Sequence, residues 1–331
     1  SLPNSFGLPS LRVLRVGENS LIGGIPTQIS ALTSLVTLNL AENTFLSSIP
    51  TEVGLLTSLV TLDVTGNFLT GALPSEIGVP GSLGALLAGR NLLLDALPTT
   101  LSQLSNLESL GFDGNPVNRQ FPTVITQLTG LKRLYLNQSG FLGTIPEALY
   151  QLTRLEALYL QNNALSGTIS ASIGDLVNLR AFDLQPRVVD GGGPAMSGTL
   201  PSQLGLLRSL TSLNVGNGEL TGTIPTLLGQ LPLVLLDASM NSLSGPIPTE
   251  LGSISSLVVL NLNSNALTGT IPPQFGDIPG LETIRVESNA LTGTVTTGIC
   301  SLENLKELVA DCEGTNPEVS CSCCTQCGAN P

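Results

Sequence analysis

The chain has 331 residues, a formal net charge of −12, no histidine and no tryptophan. The negative charge excludes the phosphate backbone of nucleic acids as a main partner. The lack of histidine removes the commonest general base and the commonest transition-metal ligand, so neither a metal nor another cofactor is predicted. No apolar run approaches the roughly 18 residues that would cross a bilayer.

A pattern of the form L-x-x-L-x-L-x-x-N-x-L-x-G-x-I-P recurs every 24 residues through nearly the whole chain, as in residues 257–272. A constant period of this length is typical of a solenoid and predicts one elongated array rather than several globular domains. The thirteen repeats begin at Leu11, Leu35, Leu59, Leu83, Leu107, Leu131, Leu155, Leu179, Leu210, Leu233, Leu257, Leu281 and Leu305.

The first ten residues correspond to the second half of an earlier repeat, because Leu2-Pro3 takes the place of Ile25-Pro26 in the next one. A solenoid cut at this point would expose its inner leucine rows, whereas terminal repeats normally carry a polar cap. We therefore expect the natural chain to continue upstream with a targeting signal and a cap or membrane anchor. Self-association at this end is the alternative.

Within each repeat, the L-x-L alternation predicts a short strand with its leucines inward and the residues between them outward. Equivalent strands are expected to stack in parallel, about 4.8 Å apart. Gly and Pro then turn the chain, and the stretch before the next strand, such as residues 151–155, predicts a 3₁₀ turn or a short helix. An asparagine after each strand is expected to satisfy the backbone groups of the turn. These asparagines are Asn19, Asn43, Asn67, Asn91, Asn115, Asn163, Asn241, Asn265 and Asn289.

The half-repeat L-x-G-x-I-P, as in residues 220–225, closely resembles the plant-type leucine-rich repeat, and the resemblance covers about residues 1–311. It implies an α/β solenoid of about 13 repeats, a right-handed superhelical arc with a parallel concave β-sheet and 3₁₀ or short helices on the convex side. Families of this kind include receptor ectodomains, polygalacturonase-inhibiting proteins and secreted algal proteins, so an extracellular or cell-surface location is implied. The cysteine-rich end is most similar to leucine-rich repeat proteins of diatoms and related algae.

Two kinds of departure break the regular array. Ser139 and Gly218 replace the turn asparagine, so these turns need other hydrogen-bond partners. One repeat carries about seven extra residues near 185–195, and the next repeat is one residue short. Insertions in solenoids form loops on one face and often carry function. We expect a loop that overhangs one rim of the arc and binds through Arg187 and Asp190.

The outward position between the strand leucines places two of the three tyrosines side by side, Tyr135 and Tyr159. Aromatic rings with a polar tip give large contact areas in binding patches. Two tyrosines that only pack against each other on a solvated strand surface are the alternative. The predicted ligand-binding patch of the concave face consists of Tyr135, Tyr159, Arg133, Asp113, Gln161 and Asp183.

No two carboxylates are spaced for catalysis. Asp113 and Asp183 are separated by two intervening repeats, roughly 14 Å by strand spacing, which is too far for paired acid–base chemistry. The sequence therefore predicts a binding protein and not an enzyme. Plant peptide receptors often carry an arginine pair for a ligand carboxylate, and Arg285 lacks the matching neighbour here.

Two surface features bear on modification and on an alternative function. Asn137 begins the one N-x-S/T sequon of the chain, and a glycan there would cover the patch beside Tyr135. Either the sequon is unused or the concave centre is not the binding site. Flat T-x-T columns resemble ice-binding surfaces, although Ser and Thr also suit extended backbone in ordinary repeats. The columns are Ser166/Thr168, Ser197/Thr199, Thr221/Thr223, Thr268/Thr270 and Thr292/Thr294.

All six cysteines lie after residue 299. An even cluster at the end of a solenoid predicts a disulfide-bonded cap over residues 312–331 that seals the last leucine row. A thiolate zinc site is the alternative, because three of the cysteines are spaced three residues apart. The connectivity of the disulfides does not follow from the sequence. The cysteines are Cys300, Cys312, Cys321, Cys323, Cys324 and Cys327.

These features together predict an extracellular recognition module that binds a protein, a peptide or a cell-wall polysaccharide on its concave face. Stacked repeats are rigid, so binding is expected to involve little rearrangement. Assembly into a surface layer or filament through the ends of the solenoid is the structural alternative, and ice binding is a further one.

Overall fold

The computed structural model describes residues 1–3, 5–187, 195–313 and 318–328. It divides into two compact units, Ser1–Asn163 and Ala164–Pro331. Most repeats in each unit contain an inner strand, a turn, an outer strand and a 3₁₀ helix, in that order. We call the sheet of inner strands the main sheet and the layer of outer strands the second sheet.

In the first unit, the main sheet is parallel with a register of one repeat, so that Leu14 lies opposite Leu38 and Leu38 opposite Leu62. Its strands are Val13–Arg15, Thr37–Asn39, Thr61–Asp63, Ala85–Leu87, Ser109–Gly111, Arg133–Tyr135 and Ala157–Tyr159. The outer strands are Ile22–Gly23, Thr44–Ser47, Phe68–Gly71 and Leu92–Leu93, followed after a gap by Leu142–Thr144. The 3₁₀ helices are Thr27–Ala31, Thr51–Leu55, Ser75–Gly78, Thr99–Gln103, Thr123–Gln127 and Glu147–Gln151.

In the second unit, Phe182 lies opposite Leu213 and Leu213 opposite Leu236, so equivalent strand positions stay paired although the two repeats differ in length. The main-sheet strands are Ala181–Asp183, Ser212–Asn214, Leu235–Asp237, Val259–Asn261, Thr283–Arg285, Glu307–Ala310 and Gln326–Cys327. The second-sheet strands are Ala164–Thr168, Met196–Thr199, Glu219–Gly222, Ser242–Pro246, Ala266–Gly269 and Ala290–Leu291, and Gly293–Thr294 pairs with Val319–Ser320. The helices are Ala171–Asp175, Ser202–Leu206, Thr226–Gln230, Thr249–Ser253, Pro273–Asp277 and the α-helical turn Thr297–Cys300.

Rows of leucine fill the interior, as the repeat predicts, and Leu38, Leu62 and Leu86 are fully buried. The 3₁₀ helices begin directly after the I-P dipeptide, as at Glu147–Gln151, a few residues earlier than the 151–155 stretch that we predicted. The fixed φ of proline favours this start, because a helix can begin on the residue that follows. Among the described residues, no helix has the length and apolar character needed to span a membrane.

The asparagine ladder is confirmed. Oδ1 of Asn67 accepts a hydrogen bond from the backbone N–H of Phe45 in the preceding repeat, at 3.0 Å. Nδ2 of Asn67 donates to the carbonyls of Leu40, at 3.1 Å, and of Val64, at 3.0 Å. Each buried asparagine of this kind therefore satisfies the turn of its own repeat and joins it to the repeat before.

Near the end of the second unit, an aspartate continues the asparagine ladder at a position that the sequence pattern did not identify. Asp311 is buried, and its carboxylate accepts hydrogen bonds from the backbone N–H groups of Ser288, at 2.7 Å, and Asn289, at 3.1 Å. An aspartate suits this position because these contacts require only acceptors. At this end the strand Gln326–Cys327 pairs with Glu307–Ala310 and extends the main sheet by one strand.

Candidate functional site

The two tyrosines of the first unit form a stack on the outward surface of the main sheet. Tyr135 lies directly opposite Tyr159 in the parallel register. Their ring centroids are 5.3 Å apart and the ring planes differ by 7°. This arrangement follows from the 24-residue period, which repeats the same outward position one strand further along. Both side chains are half-buried.

The main sheet lacks side chains at two positions beside this stack. Gly111 lies opposite Tyr135 on the neighbouring strand. A Cβ on Gly111 would lie 3.1 Å from Cδ2 of Leu87 and 3.7 Å from Oδ1 of Asp113. A Cβ on Gly89 would collide with the carboxylate of Asp113. Both glycines are buried, because the side chain of Leu87 reaches over Gly111 and the carboxylate of Asp113 over Gly89. We call the surface over these two glycines, bordered by Leu87, Asp113 and Tyr135, the glycine slot.

Asp113 supplies the charged side of the glycine slot. Partial burial raises the pKa of the Asp113 carboxyl, while its own backbone N–H and the positive charge of Arg90 act in the opposite direction. Arg90 is itself paired with the exposed carboxylate of Glu42. The carboxylate of Asp113 is thus partly desolvated, and a hydrogen-bond donor on a ligand would stabilise its charged form.

Arg133 is exposed on the same strand as Tyr135 and donates from Nη1 to Oγ of Ser109, at 3.0 Å. Beside it, Nζ of Lys132 contacts Oε1 of Glu108 at 2.8 Å, and this hydrogen bond lowers the pKa of the Glu108 carboxyl. Both contacts link neighbouring repeats. They leave the guanidinium of Arg133 at the surface near the tyrosine stack, where it can also bind a ligand.

Gln161 occupies the position two residues after Tyr159, as Asp113 does after Gly111. Its Oε1 atom is buried and accepts no hydrogen bond within the part of the chain that the structure describes. A buried amide oxygen without a hydrogen-bond donor is energetically costly. The structure thus brings Tyr135, Tyr159, Arg133, Asp113 and Gln161 onto one face of the first unit.

Asp183 lies in the second unit, where its contacts are structural. Its Oδ1 accepts a hydrogen bond from the backbone N–H of Gln185 at 3.2 Å, which closes a local turn. Burial raises the pKa of Asp183, the hydrogen bonds from Gln185 and Asn214 lower it, and the charge of Asp237 raises it. The assignment of Asp183 to the ligand-binding patch stays a prediction.

The rim loop is described only at its start. Arg187 is exposed, whereas Asp190 lies outside the described residues, so the role of this loop stays a prediction. Asn137 is half-buried, and its backbone carbonyl accepts a hydrogen bond from the backbone N–H of Gly114 at 2.8 Å. Its use as a glycosylation site also stays a prediction.

The six cysteines form three disulfide bonds, as predicted: Cys300–Cys323, Cys312–Cys327 and Cys321–Cys324. The alternative of a thiolate zinc site would need free thiolates, and every cysteine is oxidised. In the described part of the chain, no group of three or more Cys, Asp or Glu side chains is positioned to hold a metal ion.

A cleft of about 560 Å³ in the first unit was missed by the sequence pattern. It opens where the second sheet is interrupted between Leu92–Leu93 and Leu142–Thr144. Two adjacent repeats there replace the motif glycine, by Asp95 and by Arg119. Nη2 of Arg119 contacts Oδ1 of Asp95 at 3.2 Å across the repeats. This double replacement is the sequence signal that would have located the cleft.

Comparison with known proteins agrees with this architecture. The family model described as Leucine Rich Repeat matches residues 58–79, 154–176 and 256–278. The parallel main sheet, the 3₁₀ helices and the 24-residue register are those of a leucine-rich repeat solenoid. The chain therefore has the fold of a leucine-rich repeat solenoid. A search of curated proteins found no match.

Several plant receptor ectodomains have similar structures. One is the ectodomain of the Arabidopsis thaliana membrane receptor kinase GASSHO1/SCHENGEN3 in complex with CASPARIAN STRIP INTEGRITY FACTOR 2, with 29% identity, a TM-score of 0.73 and 94% of this chain covered. The structure of PEPR1-AtPEP1 is also similar, with 29% identity, a TM-score of 0.77 and 95% of this chain covered. A third is the Arabidopsis HAESA ectodomain with an IDA peptide hormone, with 28% identity, a TM-score of 0.76 and 92% covered. The chain spans only 38%, 46% and 53% of these three structures.

A plant ice-binding protein is also similar in structure, with 23% identity, a TM-score of 0.62, and 85% of this chain and 81% of that chain covered. Because the sequence identity is only 23%, this structural similarity indicates a shared fold and nothing about function. The solenoid itself is thus used for more than one kind of recognition.

Proposed function

We propose that the chain is an extracellular recognition protein rather than an enzyme, and that it binds a protein, a peptide or a cell-wall polysaccharide on the main sheet of its first unit. The glycine slot beside the Tyr135–Tyr159 stack is the observation that carries this proposal. The three disulfides support an oxidising compartment, and the similar plant structures are receptor ectodomains.

The slot suits a flat group. Leu87 and Tyr135 stand two strands apart, about 10 Å between backbones by strand spacing, with Gly111 between them and the Leu87 side chain reaching over that glycine. A sugar ring or an aromatic side chain would stack on the face of Tyr135 that does not contact Tyr159. Hydrogen-bond donors of that ligand would bind to the Asp113 carboxylate, and its acceptors would bind to the Arg133 guanidinium.

A direct test uses immobilised cell-wall oligosaccharides and secreted peptides as probes, with the wild-type chain and the Tyr135→Ala/Tyr159→Ala variant side by side. The proposal expects a probe that binds wild type and binds the folded variant at least about tenfold more weakly. Thr37→Ala, a change on the same sheet away from the slot, is the matched control. Equal binding by all three proteins would contradict the proposal.

We propose ice binding as a second candidate function, because the second sheet of the second unit orders its hydroxyl groups. Oγ1 of Thr221 donates to the carbonyl of Gly198 at 3.1 Å, and Oγ1 of Thr292 donates to that of Gly269 at 3.4 Å. These hydrogen bonds fix the rotamers of the threonines, and the strands place the hydroxyl groups at a regular spacing. The test is thermal hysteresis of a freezing solution, which this candidate expects for wild type and expects to be lost in Thr221→Lys. A wild-type protein without hysteresis would eliminate it.

A further inference from the structure

The second sheet of the first unit carries a strip of exposed apolar side chains. Along two of its strands the side chains alternate, so that Phe45 and Leu69 are fully buried while Leu46 and Phe68 are exposed. Leu46 lies directly opposite Phe68 in the parallel register. We call this row of exposed residues the outer strip, and its members are Ile22, Leu46, Phe68, Leu92 and Leu94.

The repeat itself does not require apolar residues in the outer strip. Ile22, Leu46 and Leu94 are each the third residue after a turn asparagine. In the second unit the same position carries a hydroxyl side chain, as in Ser166, Ser244, Thr268 and Thr292. The fold therefore accepts polar residues there. Contiguous apolar patches on a protein surface mark sites of interaction.

The size and composition of the outer strip match those of a homodimer interface. Its five side chains are between 45% and 63% exposed, so the strip offers roughly 500 Å² of apolar surface at about 100 Å² each. The polar positions among them, Ser20, Thr44 and Thr70, are at least partly exposed and enlarge the patch towards the roughly 800 Å² per partner of a stable interface. The resulting apolar share, roughly 65%, is that of homodimer interfaces.

The outer strip is also uncharged, which favours a second copy of the chain over a different protein. None of the strands that carry it contains an Asp, Glu, Lys or Arg residue. Charges that flank it in the sequence are paired within the chain, Arg90 with Glu42 and Arg119 with Asp95. Two copies with a net charge of −12 can therefore meet here without bringing like charges together. The charge complementarity that selects an unlike partner is missing from the strip.

We propose that the outer strip is the interface of a homodimer, in which two copies of the first unit face each other across a two-fold axis. This symmetry places the strip of one copy on the strip of the other, so that apolar side chains meet apolar side chains. Two sheets packed face to face lie about 10 Å apart, which leaves room for the side chains of Leu46 and Phe68 between them. The main sheet takes no part in the contact.

Sedimentation equilibrium of the full chain, up to about 100 µM, measures the dissociation constant of the dimer. Wild type is expected to have twice the mass of one chain at the highest concentration. Leu46→Glu and Phe68→Glu each place two like charges in the apolar interface, and each should raise the dissociation constant at least about a hundredfold. Circular dichroism of each variant checks that it is folded.

Leu55→Glu is the matched control. Leu55 is 60% exposed in the same repeat as Leu46, but it lies in the 3₁₀ helix Thr51–Leu55 and not in the outer strip. This variant should dimerise as wild type does. The Tyr135→Ala/Tyr159→Ala variant should also dimerise normally, which separates the dimer interface from the proposed site on the main sheet.

A mixing experiment tests whether the outer strip contacts a second outer strip. Phe68→Glu and Phe68→Lys should each be monomeric where wild type is dimeric. Because opposite charges would face each other across the two-fold axis, an equimolar mixture of the two should associate at least about tenfold more tightly than either alone.

Three outcomes would overturn the proposal. The first is a wild-type protein with the mass of one chain at about 100 µM. The second is an equal dissociation constant for Leu46→Glu and Leu55→Glu, which would place self-association on another surface. The third is a monomeric wild type that floats with phosphatidylcholine vesicles while Leu46→Glu does not, which would make a lipid surface the occupant. A hundredfold weakening in Leu46→Glu and Phe68→Glu, with wild-type association in Leu55→Glu and recovery in the mixture, would establish the dimer.

Discussion

The backbone N–H of Ser139 donates to Oδ1 of Asn163 in the next repeat, at 3.1 Å. Asn163 also accepts from the N–H of Phe141 at 2.9 Å. The hydroxyl of Ser139 donates to the carbonyl of Phe112 at 3.0 Å. A fully buried serine thus keeps the ladder continuous where the asparagine is missing, because its hydroxyl makes the hydrogen bond to the preceding repeat that the asparagine amide makes elsewhere, as from Asn115 to Ala88.

Asn163→Ala is expected to lower the free energy of unfolding by about 3 kcal/mol, because it leaves the buried N–H groups of Ser139 and Phe141 without an acceptor. Asn19→Ala is the control. Asn19 is exposed and its amide donates only within its own turn, so a loss below about 1 kcal/mol is expected. Guanidinium denaturation followed by circular dichroism measures both. Equal losses in the two variants would show that burial of the asparagine amide does not determine its contribution to the free energy of unfolding.

The stability of the protein should depend on pH through Asp113. Because burial raises the folded pKa of this carboxyl above its ordinary value of 3.8, the folded state binds more protons than the unfolded state just above that value. Its contribution is therefore most favourable below pH 3.8 and is lost as the pH rises through the folded pKa. Asp113→Asn should be more stable relative to wild type at pH 7 than at pH 3, as measured by thermal unfolding. The same difference at both pH values would contradict this account.

The disulfide between Cys312 and Cys327 should stabilise the end of the second unit locally. It joins the strand Gln326–Cys327 to the region after Glu307–Ala310 across a sequence separation of 15 residues. The Cys312→Ser/Cys327→Ser variant is expected to lose about 3 kcal/mol of protection at these strands. Hydrogen exchange would show the loss at residues 307–310, with unchanged protection in the first unit, because repeats stabilise mainly their neighbours. Uniform loss along the chain would contradict a local role.

If the glycine slot is the binding site, Asn137 should carry no glycan. Asn137 lies two residues after Tyr135, in the position that Asp113 occupies relative to Gly111, and a glycan there would cover the slot. The protein secreted from a eukaryotic host should therefore have the mass calculated for its unmodified sequence. The Asn137→Gln variant should likewise have the mass calculated for its own sequence. A glycan-sized mass difference that disappears in Asn137→Gln would place recognition elsewhere on the molecule.

The sequence was sufficient for the repeats, the ladder and the tyrosine stack, because each follows from a residue type at a fixed period. Tyr135 and Tyr159 are 24 residues apart, so a register of one repeat brings them together. The ladder function of Asn67 follows equally from its position after a strand. Periodicity therefore predicts contacts between equivalent positions.

Features that depend on a missing side chain or on a replaced motif residue could not be predicted from the period. The strands of the second sheet lie where the repeat reads L-x-G, so the L-x-L alternation that marks the main-sheet strands is absent there. The glycine slot requires Gly111 and Gly89 to lie on neighbouring repeats beside Tyr135, and the cleft lies where Asp95 and Arg119 replace the motif glycine in two successive repeats. Asp311 was missed because it replaces the asparagine that marks the ladder. Each of these features depends on residues that depart from the repeat pattern at one or two positions, and the period alone does not show their effect.

The most direct test of recognition through the main sheet is the affinity of a cell-wall oligosaccharide or peptide that binds wild type, measured for Gly111→Leu and Gly84→Leu. Leucine at Gly111 fills the slot beside Tyr135, whereas a Cβ on Gly84 meets only ordinary contacts, the nearest 3.6 Å away at Val60. The account predicts at least about a tenfold loss for Gly111→Leu and wild-type affinity for Gly84→Leu. Undiminished affinity in a folded Gly111→Leu variant would contradict it.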